Sequence, residues 1–189
     1  MEEQIRNVIK QNIELHENLY DITKTIAAAA EMMNQCITAG GKIMFAGNGG
    51  SAADAQHLAA ELVNRFLKQR KPLPGLALST DTSIITAIGN DFSFDDVFSK
   101  QVQALGRKGD ILFGISTSGN SGNIIKAFDA ARNLTISTIA LIGAGGKIAD
   151  LADCTIAVPS SITPRIQEAH ILIGHILCEI IENDQCPGN

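Results

Sequence analysis

Apolar residues recur at helical spacing from the start of the chain: Ile5, Val8, Ile9, Ile13, Leu15 and Leu19, then Ile22, Ile26, Ala29, Ala30, Met33 and Ile37. The pattern predicts helix over 2–39, divided in two by a break near Tyr20 and Asp21 and stopped by Gly40-Gly41. Short apolar runs then alternate with helical patterns. Strands are predicted at 42–46, 75–79, 110–115, 135–142 and 154–158. Helices are predicted at 52–67, 82–89, 94–105, 123–132 and 163–183, with a polar loop at 68–74. Residues 185–189 should fray.

Short apolar strands that alternate with helices imply right-handed crossovers and a parallel sheet. The fold class is therefore α/β, a five-stranded parallel doubly wound sheet covered on both faces. One domain should span 1–189, with a helical extension at 1–40 and an α/β core at 41–184. The two leading amphipathic helices have no separate core to cover. They are expected to pack on partner subunits as well as on this domain.

Ligands in such sheets sit beyond the strand C-termini, where the strand order reverses. The turns after the first and third strands, Gly47-Asn48-Gly49-Gly50-Ser51 and Gly114-Ile115-Ser116-Thr117-Ser118-Gly119-Asn120-Ser121, are both rich in glycine and serine. The second leads from a buried strand into a helix. Its hydroxyls and the unpaired N–H groups of the helix start can converge on one anion, aided by the helix dipole. Ser116, Thr117, Ser118 and Ser121 are the donors. There is no Lys in this turn and no nucleotide P-loop pattern, so a phosphate monoester on a small molecule suits it better; the alternative is an ordinary Ser/Gly turn. The first turn departs from a dinucleotide fingerprint, because Ala52 stands where the third glycine should be. Ser51 fits a helix N-cap and a phosphate or sugar donor.

Composition narrows the partners. A net charge of −5 and 4% aromatics without Trp argue against a general nucleic-acid or anionic-membrane binder. No apolar run is long enough to span a bilayer. The acidic, polar start is not a signal peptide, and none of the four cysteines forms a C-x-x-C pair. Reduced thiols in a cytoplasmic protein are the expectation.

Two helices carry groups that could do chemistry. His57 and Glu61 lie four residues apart on one face of the predicted helix 52–67, a spacing that lets two side chains share a metal ion. A surface His–Glu pair is the bland alternative, but Leu58, Ala59, Ala60 and Leu62 make the helix mostly apolar. The last helix carries Arg165, Gln167, Glu168, His170 and His175. His175 stands among Ile171, Leu172, Ile176 and Leu177, either as a satisfied core residue or as a desolvated acid/base or metal ligand. Gln167 and His175 are separated by roughly 80° around the helix. They could flank one cavity, and His170 competes for the same role. His16 is expected to be inert.

The runs Ala46-Gly47-Asn48-Gly49-Gly50-Ser51, Ser51-Ala52-Ala53-Asp54-Ala55-Gln56-His57, Gly89-Asn90-Asp91, Gly114 to Ser121 and Pro164-Arg165-Ile166-Gln167-Glu168-Ala169-His170-Ile171 resemble, in order, those of the phosphoheptose isomerases. These are bacterial enzymes built on a single sugar-isomerase (SIS) domain of flavodoxin-like topology, and the similarity covers nearly the whole chain. The resemblance implies conversion of sedoheptulose 7-phosphate to D-glycero-D-manno-heptose 7-phosphate through an enediol, the first step toward the ADP-heptose of lipopolysaccharide cores. It implies a cytoplasmic homotetramer with one zinc ion per subunit. By resemblance His57, Glu61, Gln167 and His175 match zinc ligands, and Glu61 and His175 match the general base and acid. Ser51, Ser116, Ser118 and Ser121 match phosphate contacts. Asn48, Gly49, Gly50, Glu61, Arg65, Asn90, Asp91, Thr117 and Gln167 match other substrate contacts. Some members have an acid directly before Arg165, where this chain has Pro164.

Related single-domain SIS proteins bind the bacterial replication initiator without isomerase activity, and others sense sugar phosphates. The initiator binders typically lack counterparts of Glu61 and His175. Both are present here, which favours the enzyme.

Overall fold

Strand residues sort by parity onto two apolar faces. On β1 (Ile43–Gly47), Ile43 and Phe45 join one core while Met44 and Ala46 join the other. On β3 (Ile111–Ser116), Ile111, Phe113 and Ile115 share the first core and Leu112 the second. A strand buried on both sides is what a parallel sheet between two helical layers requires. The computed structural model describes residues 1–186 and bears this out. Its sheet contains β2 (Gly75–Ala77), β1, β3, β4 (Ser137–Ile142) and β5 (Cys154–Ala157) in that spatial order, all parallel. Phe45 pairs with Phe113 in register, their ring centroids 5.5 Å apart. The order reverses between β1 and β3, so the two glycine- and serine-rich turns open side by side into one crevice.

The helices are α1 (Glu2–Asn18), α2 (Thr23–Thr38), α3 (Gly50–Val63), α4 (Thr82–Asp91), α5 (Ser99–Leu105), α6 (Gly122–Asn133) and α7 (Thr163–Gln185). Helices α2, α3 and α7 cover one sheet face; α5 and α6 cover the other. The expected break near Tyr20 is a 3₁₀ turn, Leu19–Ile22. Helix α2 buries Ile26, Ala29, Ala30, Met33, Cys36 and Ile37. Helix α1 buries only Leu15 and leaves Ile5, Val8, Ile9 and Ile13 exposed. It is held to α7 by Arg165 Nη1 donating to the Val8 carbonyl and Asn12 Nδ2 donating to Glu168. No helix among the described residues is long and apolar enough to cross a membrane.

Several predicted boundaries move. Helix α3 starts at Gly50 and stops at Val63 rather than spanning 52–67. Its cap is Gly49, at φ +56 and ψ −121, a conformation suited to glycine, so Ser51 lies inside the first turn and is not the N-cap. Asn90 and Asp91 belong to the last turn of α4 rather than to the loop after it. The predicted helix 94–105 splits into a 3₁₀ turn at Phe94–Asp96 and α5, with Ser93 Oγ accepting from the Asp95 N–H. The fourth strand begins at Ser137, because Thr135 takes a left-handed conformation at φ +58. Gln185 does not fray: it closes α7 and its amide donates to Thr38 Oγ1 at 3.0 Å. Residues 187–189 of the expected tail lie outside the described residues.

Candidate active site

Helices α3 and α7 lie side by side and run parallel, since their contacts advance together along both. At the first crossing the Gln167 amide lies against Gly50, where an added Cβ would stand 2.4 Å from Nε2. Further on, Leu58 packs against Gly174, whose missing side chain admits the leucine. There the two histidines meet. His57 Nε2 and His175 Nε2 are 2.9 Å apart, and Glu61 Oε1 is 3.3 Å from the same His57 nitrogen. Phe66 also packs against the His175 ring, with centroids 5.4 Å apart. So the structure brings together His57, Glu61 and His175. Gln167 stands eight residues from His175, about 12 Å of helical rise, beside Gly50.

Two imidazole nitrogens facing each other beside a carboxylate can share either a proton or a cation. Nitrogen and carboxylate oxygen are the donors zinc takes. A zinc ion at about 2.0 Å from each nitrogen would want them roughly 3.3 Å apart, so the rings need part by only a few tenths of an ångström. The donor set fits. Among the described residues, no group of three or more His, Cys, Asp and Glu side chains is already arranged to hold a metal ion.

The hydroxyl cluster forms at the end of β3 and the start of α6. Ser116 Oγ is 2.9 Å from Ser121 Oγ and 3.5 Å from Ser118 Oγ. The Asn120 N–H donates to Ser118 Oγ at 3.1 Å. Ser121 caps α6 by backbone conformation without spending its hydroxyl on the helix, so that hydroxyl and the first amides stay available. The loop after β4 braces this turn: the Ile148 N–H donates to the Gly119 carbonyl and the Lys147 N–H to Asn120 Oδ1. Ser116 is buried, Thr117 and Ser121 are half-buried, and Ser118 is exposed.

The remaining candidates join neither cluster. Ser51 is buried under the first turn of α3. The Asn48 side chain exchanges two hydrogen bonds with the buried amide of Asn123, at 2.9 and 2.8 Å. Asn90 Nδ2 donates to Asp91 Oδ1, both exposed at the end of α4. Arg65 is exposed just beyond α3. His170 is fully buried under the sheet, apart from the His57–His175 cluster, and burial drives its imidazole down to about 4.

Sequence reasoning missed three residues here. Asp54 sits one turn before His57 with Oδ2 buried and unpartnered; burial raises its carboxyl above the ordinary range, with His57 pulling the other way. Its spacing to His57 and Glu61 was the available signal. Phe66 and Asn123 carried no local signal, because each is defined by a distant partner.

The chain matches the SIS domain family model over residues 7–143. It is 54% identical to a phosphoheptose isomerase of Rhodospirillum rubrum over 98% of this chain and 100% of that one. It is similar to the solved phosphoheptose isomerase of Neisseria gonorrhoeae, at 48% identity and a TM-score of 0.92, over 96% of this chain and 98% of that one. The solved Francisella tularensis phosphoheptose isomerase matches at 40% identity and a TM-score of 0.93, over 96% and 97%.

Proposed function

This chain belongs to the phosphoheptose isomerase family of SIS-domain proteins, and from that premise we propose how it acts on sedoheptulose 7-phosphate to give D-glycero-D-manno-heptose 7-phosphate. The observation that supports the site is the meeting of Glu61 and His175 around His57, from helices more than a hundred residues apart in the chain.

Ketose–aldose isomerisation moves a proton between C1 and C2 and adjusts protons on the two oxygens. One group must serve the carbons and another the oxygens. The Glu61 carboxylate takes the proton from one carbon and returns it to the other across a cis-enediol. The His175 imidazole exchanges protons with the oxygens. His57, facing both, keeps them in register. His57, Glu61 and His175 would hold a zinc ion, which when bound would supply Lewis-acid stabilisation of negative charge on the sugar oxygens. Gln167 enters as a fourth ligand by resemblance only; its place beside Gly50 suits a substrate contact.

The phosphate is assigned to Ser51, Ser116, Ser118 and Ser121 with the first amides of α6, which anchors the far end of the sugar. Asn48, Gly49, Gly50, Arg65, Asn90, Asp91 and Thr117 are assigned to the remaining substrate contacts. The exposed apolar row of α1 and the exposed Tyr20 support association with further copies of the chain, which the resemblance makes a homotetramer. The assignment extends to a cytoplasmic enzyme feeding the ADP-heptose of lipopolysaccharide cores. Identity above half with named isomerases, together with Glu61 and His175, leaves the initiator-binding alternative unfavoured.

Purified protein should form aldose from sedoheptulose 7-phosphate, and Glu61→Gln should abolish turnover while sugar-phosphate binding persists by calorimetry. Undiminished turnover in Glu61→Gln would remove Glu61 as the base.

A further inference from the structure

We propose that the buried Glu182–Arg70 pair is a positioning device for Glu61 and His175, working through the loop it folds. The inference rests on the catalytic roles assigned above.

Glu182 lies two turns beyond His175 on α7 and is 1% exposed. Its carboxylate accepts four hydrogen bonds. The Phe66, Leu67 and Lys68 N–H groups donate at 2.9, 2.6 and 2.7 Å, and Arg70 Nε at 2.8 Å. Three successive amides turned onto one anion fold 64–70 back over α7, and that fold sets Phe66 against the His175 ring. Burial alone would raise the Glu182 carboxyl, but these donors outweigh it and hold it below the ordinary range. The charge is thus retained in the interior by partners that all belong to this one loop and to Arg70.

Arg70 carries the effect to the other catalytic group. Its side chain is 1% exposed, and Nη2 donates to the Glu61 carbonyl at 2.7 Å and Nη1 to the Leu62 carbonyl at 2.8 Å. The guanidinium therefore closes the C-terminal turn of α3 at the residue whose side chain faces the histidines. One ion pair grips the Glu61 backbone through Arg70 and the His175 ring through Phe66. A pair serving stability alone needs neither contact, since burying charge is a poor way to stabilise a fold.

The test is Glu182→Gln, which preserves shape but replaces an acceptor oxygen with an NH₂ facing donors. It is assayed as the assembled, zinc-supplied protein at a temperature where circular dichroism and size exclusion match the wild type. We expect kcat to fall about tenfold or more, with KM for the sugar phosphate within about threefold, because the serine cluster is built separately. Amides 66–68 should lose hydrogen-exchange protection. Phe66→Ala should give the same kcat-selective loss, and the double variant should lose little more than the larger single one. Arg70→Lys, which keeps the charge without the fork, should show the same split if Glu182→Gln proves unstable. Wild-type kcat per folded subunit in both Glu182→Gln and Arg70→Lys, or full additivity with Phe66→Ala, overturns the proposal. Glu61→Gln run alongside separates the two failures: if it is active, the catalytic reading falls; if it is dead while the other variants keep wild-type kcat, only the positioning role falls.

Discussion

His170 offers a stability prediction that also decides a catalytic question. Its side chain is 0% exposed, and neither ring nitrogen has a well-formed hydrogen bond. Desolvation pulls its pKa from 6.5 to about 4, with the Ile142 backbone offsetting only part of that. Between these values the unfolded chain takes up a proton that the folded chain refuses. Stability must therefore be complete above pH 6.5 and decline as pH falls toward 4. At about 1.36 kcal/mol per pH unit, the loss is roughly 1 kcal/mol by pH 5.5 and approaches about 3 kcal/mol near pH 4. His170→Leu removes this proton and two buried, poorly paired nitrogens at similar volume. Urea unfolding at fixed protein concentration, at pH 7.5, 6.5 and 5.5, should show the variant gaining on the wild type by roughly 1 kcal/mol between the extremes. Parallel stability curves would refute the reasoning, because they would mean His170 is solvated or paired in the native state. The variant should also keep kcat at pH 7.5. A folded but inactive His170→Leu would return His170 to the competition with His175 for the acid role.

Ser116→Ala combined with Ser118→Ala should raise KM by about tenfold or more while lowering kcat less, in steady-state assays with the sugar phosphate; an unchanged KM would move the phosphate elsewhere. Chelation should lower turnover and added zinc restore it, and full activity in metal-free protein would remove the ion from the chemistry. Gly50→Ala sets a Cβ against the end of the flexible Gln167 side chain. It should shift the melting temperature by only a few degrees, about 1 kcal/mol or less, but weaken substrate binding measured by calorimetry. Wild-type binding would exclude Gln167 from the site.

The apolar pattern was enough to place the strands and most helices, because the short continuous apolar runs of β1 and β3, buried at every position, and the helical stripe of α2 are local facts. The adjacency of β1 and β3, on which the crevice depends, followed only conditionally from strand alternation. The ends of elements failed where distant groups decide them. Helix α3 reads as continuous to 67, yet the amides of 66–68 bond to Glu182, more than a hundred residues away. Thr135 sits at positive φ without any glycine to announce it. His57 and Glu61 were legible as a pair, and His175 as an odd histidine on an apolar helix. That they meet depends on Gly174 admitting Leu58, which no spacing rule contains. Asn48 was legible as a turn residue, but its pairing with Asn123 was not.

That amide pair has a kinetic corollary. Asn48 and Asn123 rivet the mouth of the first βα unit to the head of the third, so the floor of the crevice is preassembled. If the sugar phosphate binds there as proposed, it docks into a finished socket and need not wait for the two walls to come together. Its association rate should consequently follow solvent viscosity and salt, and carry little of the steep temperature dependence of a closing lid.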